Sequence, residues 1–178
     1  LTSDEKYFII TASDHNSSEQ HYFSVNEKSP KPKLIKQRKK GVLYSINSWD
    51  GFFYNHTNEG AEDFKIEKCN NLSDQNWETF IAPKDEVLIG GLTFLNNWII
   101  RSEQSNALEK IFVKNTKTNI EEEIKFADEQ VIVPGVSLIQ RDKNTDLVRL
   151  SYSSPKTQSR VYEYNLKTKE KKLVKEQE

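Results

Sequence analysis

Short apolar segments separated by polar turns recur along the chain at a nearly constant spacing. The four strongest segments each follow a polar turn and lie at residues 7–10, 52–54, 98–100 and 147–150. Their spacing is about 45 residues, rising to about 50 at the last step, which is in the range of β-propeller blades. A repeat of this length predicts that one supersecondary unit is built several times in succession.

Three further segments complete each repeat and give it a constant order of strands. Alternating apolar and polar residues at 21–25, 64–67, 111–113 and 161–164 predict half-buried β-strands. Short charged segments follow at 33–36, 77–80, 122–125 and 171–174, as expected of exposed strands at a sheet edge. The most apolar segments precede the turns, at 42–46, 87–92 and 131–136, and their small residues suit innermost strands.

The repeats predict an all-β fold of about four β-propeller blades, each a four-stranded antiparallel sheet, with the first blade incomplete. One partial propeller domain at 1–178 would contain blades at residues 1–36, 41–80, 87–125 and 131–176. Helices are disfavoured because no window keeps an apolar stripe of helical period for more than about two turns. A β-sandwich is the competing architecture, but the regular interval and the constant strand order favour a propeller.

Composition and charge argue against several classes of partner. The chain has 178 residues with 26 Lys and Arg against 27 Asp and Glu, so nucleic acid and anionic membranes are not expected as partners. It has no apolar run of about 18 residues and no signal peptide, which predicts a cytoplasmic protein. Its one cysteine, Cys69, excludes an internal disulfide. The start at Leu1 and the lack of Met predict that the chain is a piece of a longer protein, and the alternative is an ordinary protein that has been processed or trimmed.

Residues that could carry catalysis are few and unsuitably arranged. The Gly-x-Ser-x-Gly turn of α/β-hydrolases is absent, and the histidines of the chain are His15, His21 and His56. His15 lies in a predicted turn beside Asp14, Ser17 and Ser18, but neighbours in one loop rarely form a Ser-His-Asp triad. His56 is expected just past a strand, as a polar loop residue. The sequence therefore predicts no catalytic residue, no metal site and no cofactor.

Other conspicuous segments are interpreted as structural. The basic segment 31–40 is dense only at 38–40 and lacks interleaved aromatic residues for base stacking, so a solvated outer strand and its connector are favoured. The three glutamates at 121–123 are expected on an exposed face. Gly90 and Gly91 are not followed by a helix, which argues against a phosphate-binding loop.

Several segments of the sequence are similar to those of a known protein family. They are LVRLSYSSP at 147–155, VYEYN at 161–165 and LVKEQE at 173–178, together with GVLYS at 41–45, TNEGAEDF at 57–64 and WETFIAP at 77–83. These segments resemble the end of the propeller domain in the prolyl oligopeptidase family, most closely in its oligopeptidase B branch. The resemblance covers essentially the whole chain.

The resemblance implies the last four blades of a seven-bladed propeller that caps an α/β-hydrolase domain. In that family a Ser, an Asp and a His of the hydrolase domain cleave short peptides, as in a serine-type oligopeptidase. No position of this chain matches those catalytic motifs, so the chain is predicted to be inactive alone, and no substrate-binding residue is carried over. The implied partners are the hydrolase domain and the N-terminal blades of the parent enzyme.

The implied role is physical exclusion, because a propeller over an active site admits short peptides and not folded proteins. Two alternatives remain: an independent propeller-type module for protein–protein interaction, and the remnant of a degraded gene. Blade faces that lack their neighbours would expose apolar surface, so self-association through open blade faces is also expected.

Overall fold

The computed structural model describes residues 1–126, 133–139 and 142–176. These residues form β-strands joined by turns, and the strands assemble into antiparallel sheets. The chain divides into two compact units, Leu1–Asp85 and Glu86–Glu178, and each unit contains two sheets.

The first unit contains a three-stranded sheet and a four-stranded sheet. The strands of the first sheet are β1 (Tyr7–Ser13), β2 (Ser18–Ser24) and β3 (Lys33–Lys36). Those of the second are β4 (Tyr44–Trp49), β5 (Phe52–Thr57), β6 (Lys65–Cys69) and β7 (Glu78–Ile81). Strands lie side by side in chain order, as expected when turns and short loops join antiparallel neighbours.

The second unit contains two four-stranded sheets with the same order. The strands of the third sheet are β8 (Leu88–Leu95), β9 (Trp98–Ser105), β10 (Leu108–Asn115) and β11 (Glu121–Glu123). Those of the fourth are β12 (Val133–Leu138), β13 (Leu147–Ser153), β14 (Arg160–Asn165) and β15 (Lys171–Glu176). The fourth sheet is therefore built wholly from the C-terminal segment of the chain.

The predicted all-β fold is confirmed. Every predicted segment overlaps a strand, and the predicted incomplete blade is the three-stranded sheet. The charged segments form β3, β7, β11 and β15, each at an edge of its sheet. Of the predicted strand at 131–136, residues 131 and 132 lie outside the described part of the chain.

An apolar core joins the two sheets of the first unit. Its buried members are Ile35, Tyr44, Ile46, Phe53, Cys69 and Leu72. Tyr7 and Ile9 of β1 pack against this core, while Phe8 and Ile10 are 43% and 48% exposed. This is the alternation expected when one face of a strand is buried.

The hydroxyl of Tyr44 connects the second sheet to a β-bulge in the first. The register between β2 and β3 shifts next to Gln20, and the phenol enters at this point. Its oxygen accepts hydrogen bonds from the backbone N–H of Gln20 at 2.7 Å and of Lys36 at 3.3 Å, and the hydroxyl donates to the Lys36 carbonyl at 2.8 Å. A bulge leaves backbone groups without ladder partners, so this one hydroxyl satisfies groups that burial would otherwise leave unpaired.

Side chains of β2 also satisfy the outer edge of β4. Ser18 Oγ accepts the backbone N–H of Tyr44 at 2.7 Å and donates to its carbonyl at 3.0 Å. Gln20 Oε1 accepts the N–H of Ile46 at 2.8 Å. The edge of the second sheet is thus closed by side chains of the first sheet instead of by another strand.

The second unit has its own apolar core between the third and fourth sheets. The buried members are Leu95, Ile100, Ile111, Val113, Ile124, Val148, Leu150, Tyr164 and Leu166. Glycines allow β8 and β12 to approach their neighbouring strands. A Cβ atom on Gly135 would lie 2.6 Å from Ser151 Oγ, and one on Gly90 would lie 2.3 Å from Ser102 Oγ and 3.1 Å from the Ser102 carbonyl oxygen, so a larger residue would require the facing serine to move.

Replacing Tyr44 with phenylalanine tests the connection at the bulge. Tyr44→Phe is expected to lower the free energy of unfolding by about 1–3 kcal/mol, because buried backbone groups of Gln20 and Lys36 lose their partner. Tyr22→Phe is the matched control, since its ring packs on the same core and its hydroxyl has no hydrogen-bond partner among the described residues. Urea denaturation followed by circular dichroism measures both changes, and equal losses in the two variants would contradict the assignment.

The buried phenol of Tyr54 predicts a loss of stability at alkaline pH. Burial, assisted by the nearby charge of Asp50, raises the pKa of Tyr54 to about 12, against about 10 in the unfolded chain. Between these values the unfolded state loses the proton and the native state retains it, so this contribution is present below about pH 10 and declines toward pH 12. The free energy of unfolding of the wild type minus that of Tyr54→Phe should therefore decrease from about pH 10 to about pH 12. A difference that stays constant over this range would contradict the raised pKa of Tyr54.

Candidate functional site

The turn between β1 and β2 contains the Ser, His and Asp neighbours of the sequence. The Asp14 carboxylate accepts hydrogen bonds from the backbone N–H groups of Asn16 and Ser17, both at 2.8 Å, and from the Ser17 hydroxyl at 2.9 Å. The Arg38 guanidinium reaches the same carboxylate at 2.7 Å. His15 is exposed, and its side chain has no hydrogen-bond partner among the described residues.

This geometry is that of a hydrogen-bonded turn and not of a catalytic triad. The backbone N–H of Asn16, and next the Ser17 hydroxyl, lower the pKa of Asp14, so the carboxylate is ionised at neutral pH. In a triad the histidine lies between the other two groups and takes the hydroxyl proton, whereas Ser17 donates directly to Asp14. The lack of a catalytic role for His15 remains a prediction, and this arrangement supports it.

The other two histidines lie in strands of different sheets. His21 is in β2, with its Nε2 3.9 Å from a carboxylate oxygen of Glu19. The prediction that His56 lies just past a strand is wrong. His56 is inside β5 and stacks on the Phe64 ring with centroids 4.6 Å apart, because the strand continues through polar residues that the apolar pattern does not mark.

A carboxylate and an aromatic ring bind two lysines of the basic segment 31–40. Lys36 and Lys39 both bind the Glu59 carboxylate, at 3.2 and 3.3 Å, and the Lys36 ammonium also lies 5.6 Å from the centroid of the Trp77 ring. The hydrogen bond from Lys36 is the main cause of a lowered pKa at Glu59. These cations are therefore engaged within the fold, as expected of an outer strand and its connector.

A buried ion cluster lies on the third sheet and was not predicted from the sequence. Arg101 and Glu103 are each 5% exposed and lie two residues apart on β9, which places them on one face. The guanidinium donates to Glu103 Oε1 from Nε at 2.9 Å and from Nη2 at 2.7 Å, and it also donates to both carboxylate oxygens of Glu121. The Phe112 ring covers the guanidinium, 4.7 Å away.

The ion cluster positions β11 and leaves little of the guanidinium for a ligand. Burial alone would lower the pKa of Arg101, but its hydrogen bonds to Glu121 and Glu103 outweigh burial and raise that pKa. In the glutamate run at 121–123, expected on an exposed face, Glu121 and Glu122 are exposed, and Glu121 also binds the buried guanidinium. The available sequence signal was an arginine and a glutamate spaced by two in a strand that is otherwise buried.

Two cavities lie within the second unit. One, of about 270 Å³, is lined by residues of β8, β9 and β10 and by the β12 residues Pro134, Gly135 and Val136. The other, of about 160 Å³, contains Trp98 and Tyr164 in its wall and has the Lys169–Glu122 ion pair at its rim. Both are smaller than the roughly 300–1,000 Å³ of a usual small-molecule site.

Within the described residues, 1–126, 133–139 and 142–176, histidine, cysteine and acidic side chains do not gather in groups of three or more that could hold a metal ion. The same residues contain no helix of the length and apolarity needed to span a membrane.

Comparison with known proteins gives a family match over almost the entire chain. Residues 1–177 match the family model described as the N-terminal β-propeller domain of prolyl oligopeptidase. Dipeptidyl aminopeptidase BI of Pseudoxanthomonas mexicana is 29% identical over 147 residues, which are 81% of this chain and 20% of that protein. Protease 2 of Moraxella lacunata is 25% identical over 181 residues, covering 95% of this chain and 24% of its own length. The chain therefore spans about a quarter or less of these relatives.

Solved structures share the fold. Oligopeptidase B from Trypanosoma brucei, in a closed form with covalently bound antipain, has a TM-score of 0.88 at 23% identity and covers 99% of this chain and 26% of its own. Oligopeptidase B from Leishmania major has a TM-score of 0.82 at 16% identity, with the same coverage.

Removing the arginine of the ion cluster tests its structural role. Arg101→Met is expected to lower the free energy of unfolding by about 3–5 kcal/mol, because the buried Glu103 carboxylate would lose its cation and the partly exposed Glu121 would lose the same partner. Arg160→Met is the matched control, since Arg160 forms a 2.6 Å ion pair with Glu176 at the surface and exposed pairs contribute little. Thermal and urea unfolding of both variants provide the comparison, and equal effects would contradict the buried role.

Proposed function

Because the chain belongs to the prolyl oligopeptidase family, as part of its N-terminal β-propeller domain, we propose that it is the non-catalytic propeller portion of a serine oligopeptidase. In this role it covers the active site of an α/β-hydrolase domain and restricts access to short peptides. The observation that carries the proposal is the family match over residues 1–177 of a chain that spans only a fifth to a quarter of its curated relatives.

The polar side chains of the chain favour a structural contribution over a catalytic one. Ser17 and Asp14 bind each other in a turn, and Arg101 is enclosed by two glutamates. Catalytic groups of the parent would therefore come from the hydrolase domain, which is the proposed partner together with further blades. A seven-bladed ring, blades near the limits 1–36, 41–80, 87–125 and 131–176, and a cytoplasmic location belong to the same proposal.

The fourth sheet supports a propeller able to open. All its strands come from the continuous segment Val133–Glu176, so this blade takes no strand from a distant part of the chain, and a ring built of such blades would not be sealed by a strand shared between its first and last blades. The ring would then be closed by packing between the faces of its sheets. Opening the ring would break no backbone hydrogen bonds between strands. Movement of this kind couples entry of substrate to assembly of an active site.

The first test is the activity of the chain alone. The purified 178-residue chain should not hydrolyse short fluorogenic peptides that end in Arg or Lys, because the proposal places the Ser, Asp and His in another domain. Turnover that persists through purification and stops with a serine-directed inhibitor would overturn this part of the proposal.

The second test concerns restriction of access in the longer protein that we propose contains this chain. Arg101→Met, which loosens the third sheet, should raise kcat/KM for a long unfolded polypeptide relative to kcat/KM for a short peptide. Arg160→Met serves as the control and should leave this ratio unchanged. If Arg101→Met loses stability as expected but the ratio of the two kcat/KM values does not change, the proposed restriction of access is refuted. The assignment of the chain to the family would still hold.

A further inference from the structure

A β-bulge interrupts β8 beside the larger cavity of the second unit. The register between β8 and β9 shifts between Ile89 and Leu92, so Gly90 and Gly91 together face the single residue Ser102. A bulge leaves backbone groups outside the ladder, and bulges are frequent next to functional sites. Glycine inside a strand also marks positions where a ligand approaches the backbone closely. Both features mark this part of β8 for contact with a ligand.

The two glycines of the bulge have different surroundings. A Cβ atom on Gly90 would lie 2.3 Å from Ser102 Oγ, whereas one on Gly91 would meet no atom within 4 Å. The open space at Gly91 is the cavity of about 270 Å³ between the third and fourth sheets, each of which has four strands. Gly91 is exposed, so the cavity can be reached from the solvent.

Three side chains with acceptor oxygens line this cavity from neighbouring strands: Thr93 of β8, Ser102 of β9 and Glu109 of β10. Thr93 lies opposite Ile100, and Glu109 lies opposite Gln104. Ser102 is two residues from each of these β9 positions, so it is the diagonal neighbour of both Thr93 and Glu109. Diagonal neighbours have Cβ atoms about 7–8 Å apart and are within reach of each other's side chains. The three oxygens therefore border one common volume.

Glu109 supplies the charge that this volume presents. Its carboxylate and the hydroxyls of Thr93 and Ser102 have no hydrogen-bond partner among the described residues. Arg101 also lines the cavity, but its guanidinium binds Glu103 and Glu121. Glu109 is half-buried, and a partly desolvated carboxylate is stabilised by a cation. The cavity therefore favours a positively charged ligand over an anion.

We propose that this cavity binds the ammonium end of a lysine side chain, with Thr93, Ser102 and Glu109 as its three acceptors. An ammonium group has three N–H donors that diverge from one nitrogen, which matches acceptors on three separate strands. A guanidinium is a planar fork that suits the two oxygens of one carboxylate instead. The inference does not rest on the proposed function, because it uses no residue of another domain.

Apolar residues form the rest of the cavity wall and suit the stem of a lysine. Ile100 and Ile111 of the third sheet and Pro134 and Val136 of β12 line the cavity, and all of these except Val136 are buried. Lysine places its four-carbon stem along apolar surface while its charged end binds polar groups. A volume below that of a usual small-molecule site suits one such side chain.

An NMR titration of the 178-residue chain with Nα-acetyl-lysine methylamide tests the binding itself. The backbone amides of Gly91, Ser102 and Gly135 should shift and saturate, with a dissociation constant of about 1–10 mM. The norleucine analogue is the matched probe, because it keeps the straight alkyl chain and lacks the ammonium, and it should cause much smaller shifts. Absence of saturable shifts with the lysine probe, or equal shifts with both probes, would refute the proposal and leave the family assignment unaffected.

Two variants test the residues assigned to the site. Glu109→Gln keeps the size of the side chain and removes its charge, so it should weaken binding by about tenfold or more. Gly91→Val should abolish binding, because its side chain would enter the open space, and Gly91 does not have the positive φ that disfavours other residues.

Glu163→Gln is the matched control for the charge. Glu163 is also a half-buried glutamate of a strand, on β14, and it does not line the cavity, so this variant should bind the lysine probe like the wild type. The amide spectra also verify the fold, and Glu109→Gln alone decides the test if Gly91→Val does not fold. Unchanged binding in Glu109→Gln, or equal weakening in Glu109→Gln and Glu163→Gln, would overturn the assignment.

Discussion

The structure depends on how each sheet satisfies the backbone groups at its two edges. Sheets of three or four short strands have a high proportion of edge, and an unpaired N–H or C=O that is buried is costly. In the first unit the hydroxyl of Tyr44 and the side chains of Ser18 and Gln20 satisfy both a bulge and a strand edge. The two sheets are therefore joined by directional hydrogen bonds as well as by apolar contact.

The outer edge strands carry charged side chains, and in β11 one of these side chains binds the buried Arg101. β11 has only three residues, all of them glutamates, and so has little apolar surface of its own. Glu121 binds Arg101 of β9, while Glu122 pairs with Lys169 in the turn between β14 and β15. A strand too short and too polar to be held by packing is thus held by ion pairs, one of them protected from water.

The sequence alone predicts the strands well because apolar alternation and turn spacing are local properties. The repeat placed each strand of the described chain and identified the sheet that lacks one. The repeat does not predict the interactions between sheets. Tyr44 binds Gln20, which lies 24 residues away, at a bulge that the repeat does not mark. Within the third sheet, Arg101 binds Glu121 20 positions away, and nothing in a glutamate run marks which member will bind the buried guanidinium. His56 was misplaced because β5 continues through polar residues that carry no apolar signal.

The polar side chains of this chain bind mainly one another, and this limits what the chain could contribute to the proposed enzyme. Chemistry requires groups held ready for a substrate, yet the best-placed polar side chains here bind one another: Ser17 to Asp14, Arg101 to Glu103 and Glu121. Apart from the cavity beside Gly91, what remains to offer a partner is the shape of the sheets and their edges. In the function proposed above, such a surface would restrict what can approach an active site, and its selectivity would depend on how firmly the sheets hold together. The hydrogen bonds of Tyr44 and the ion cluster of Arg101 would then influence function only through rigidity, which is why substitutions far from any reacting atom are the informative ones for this chain.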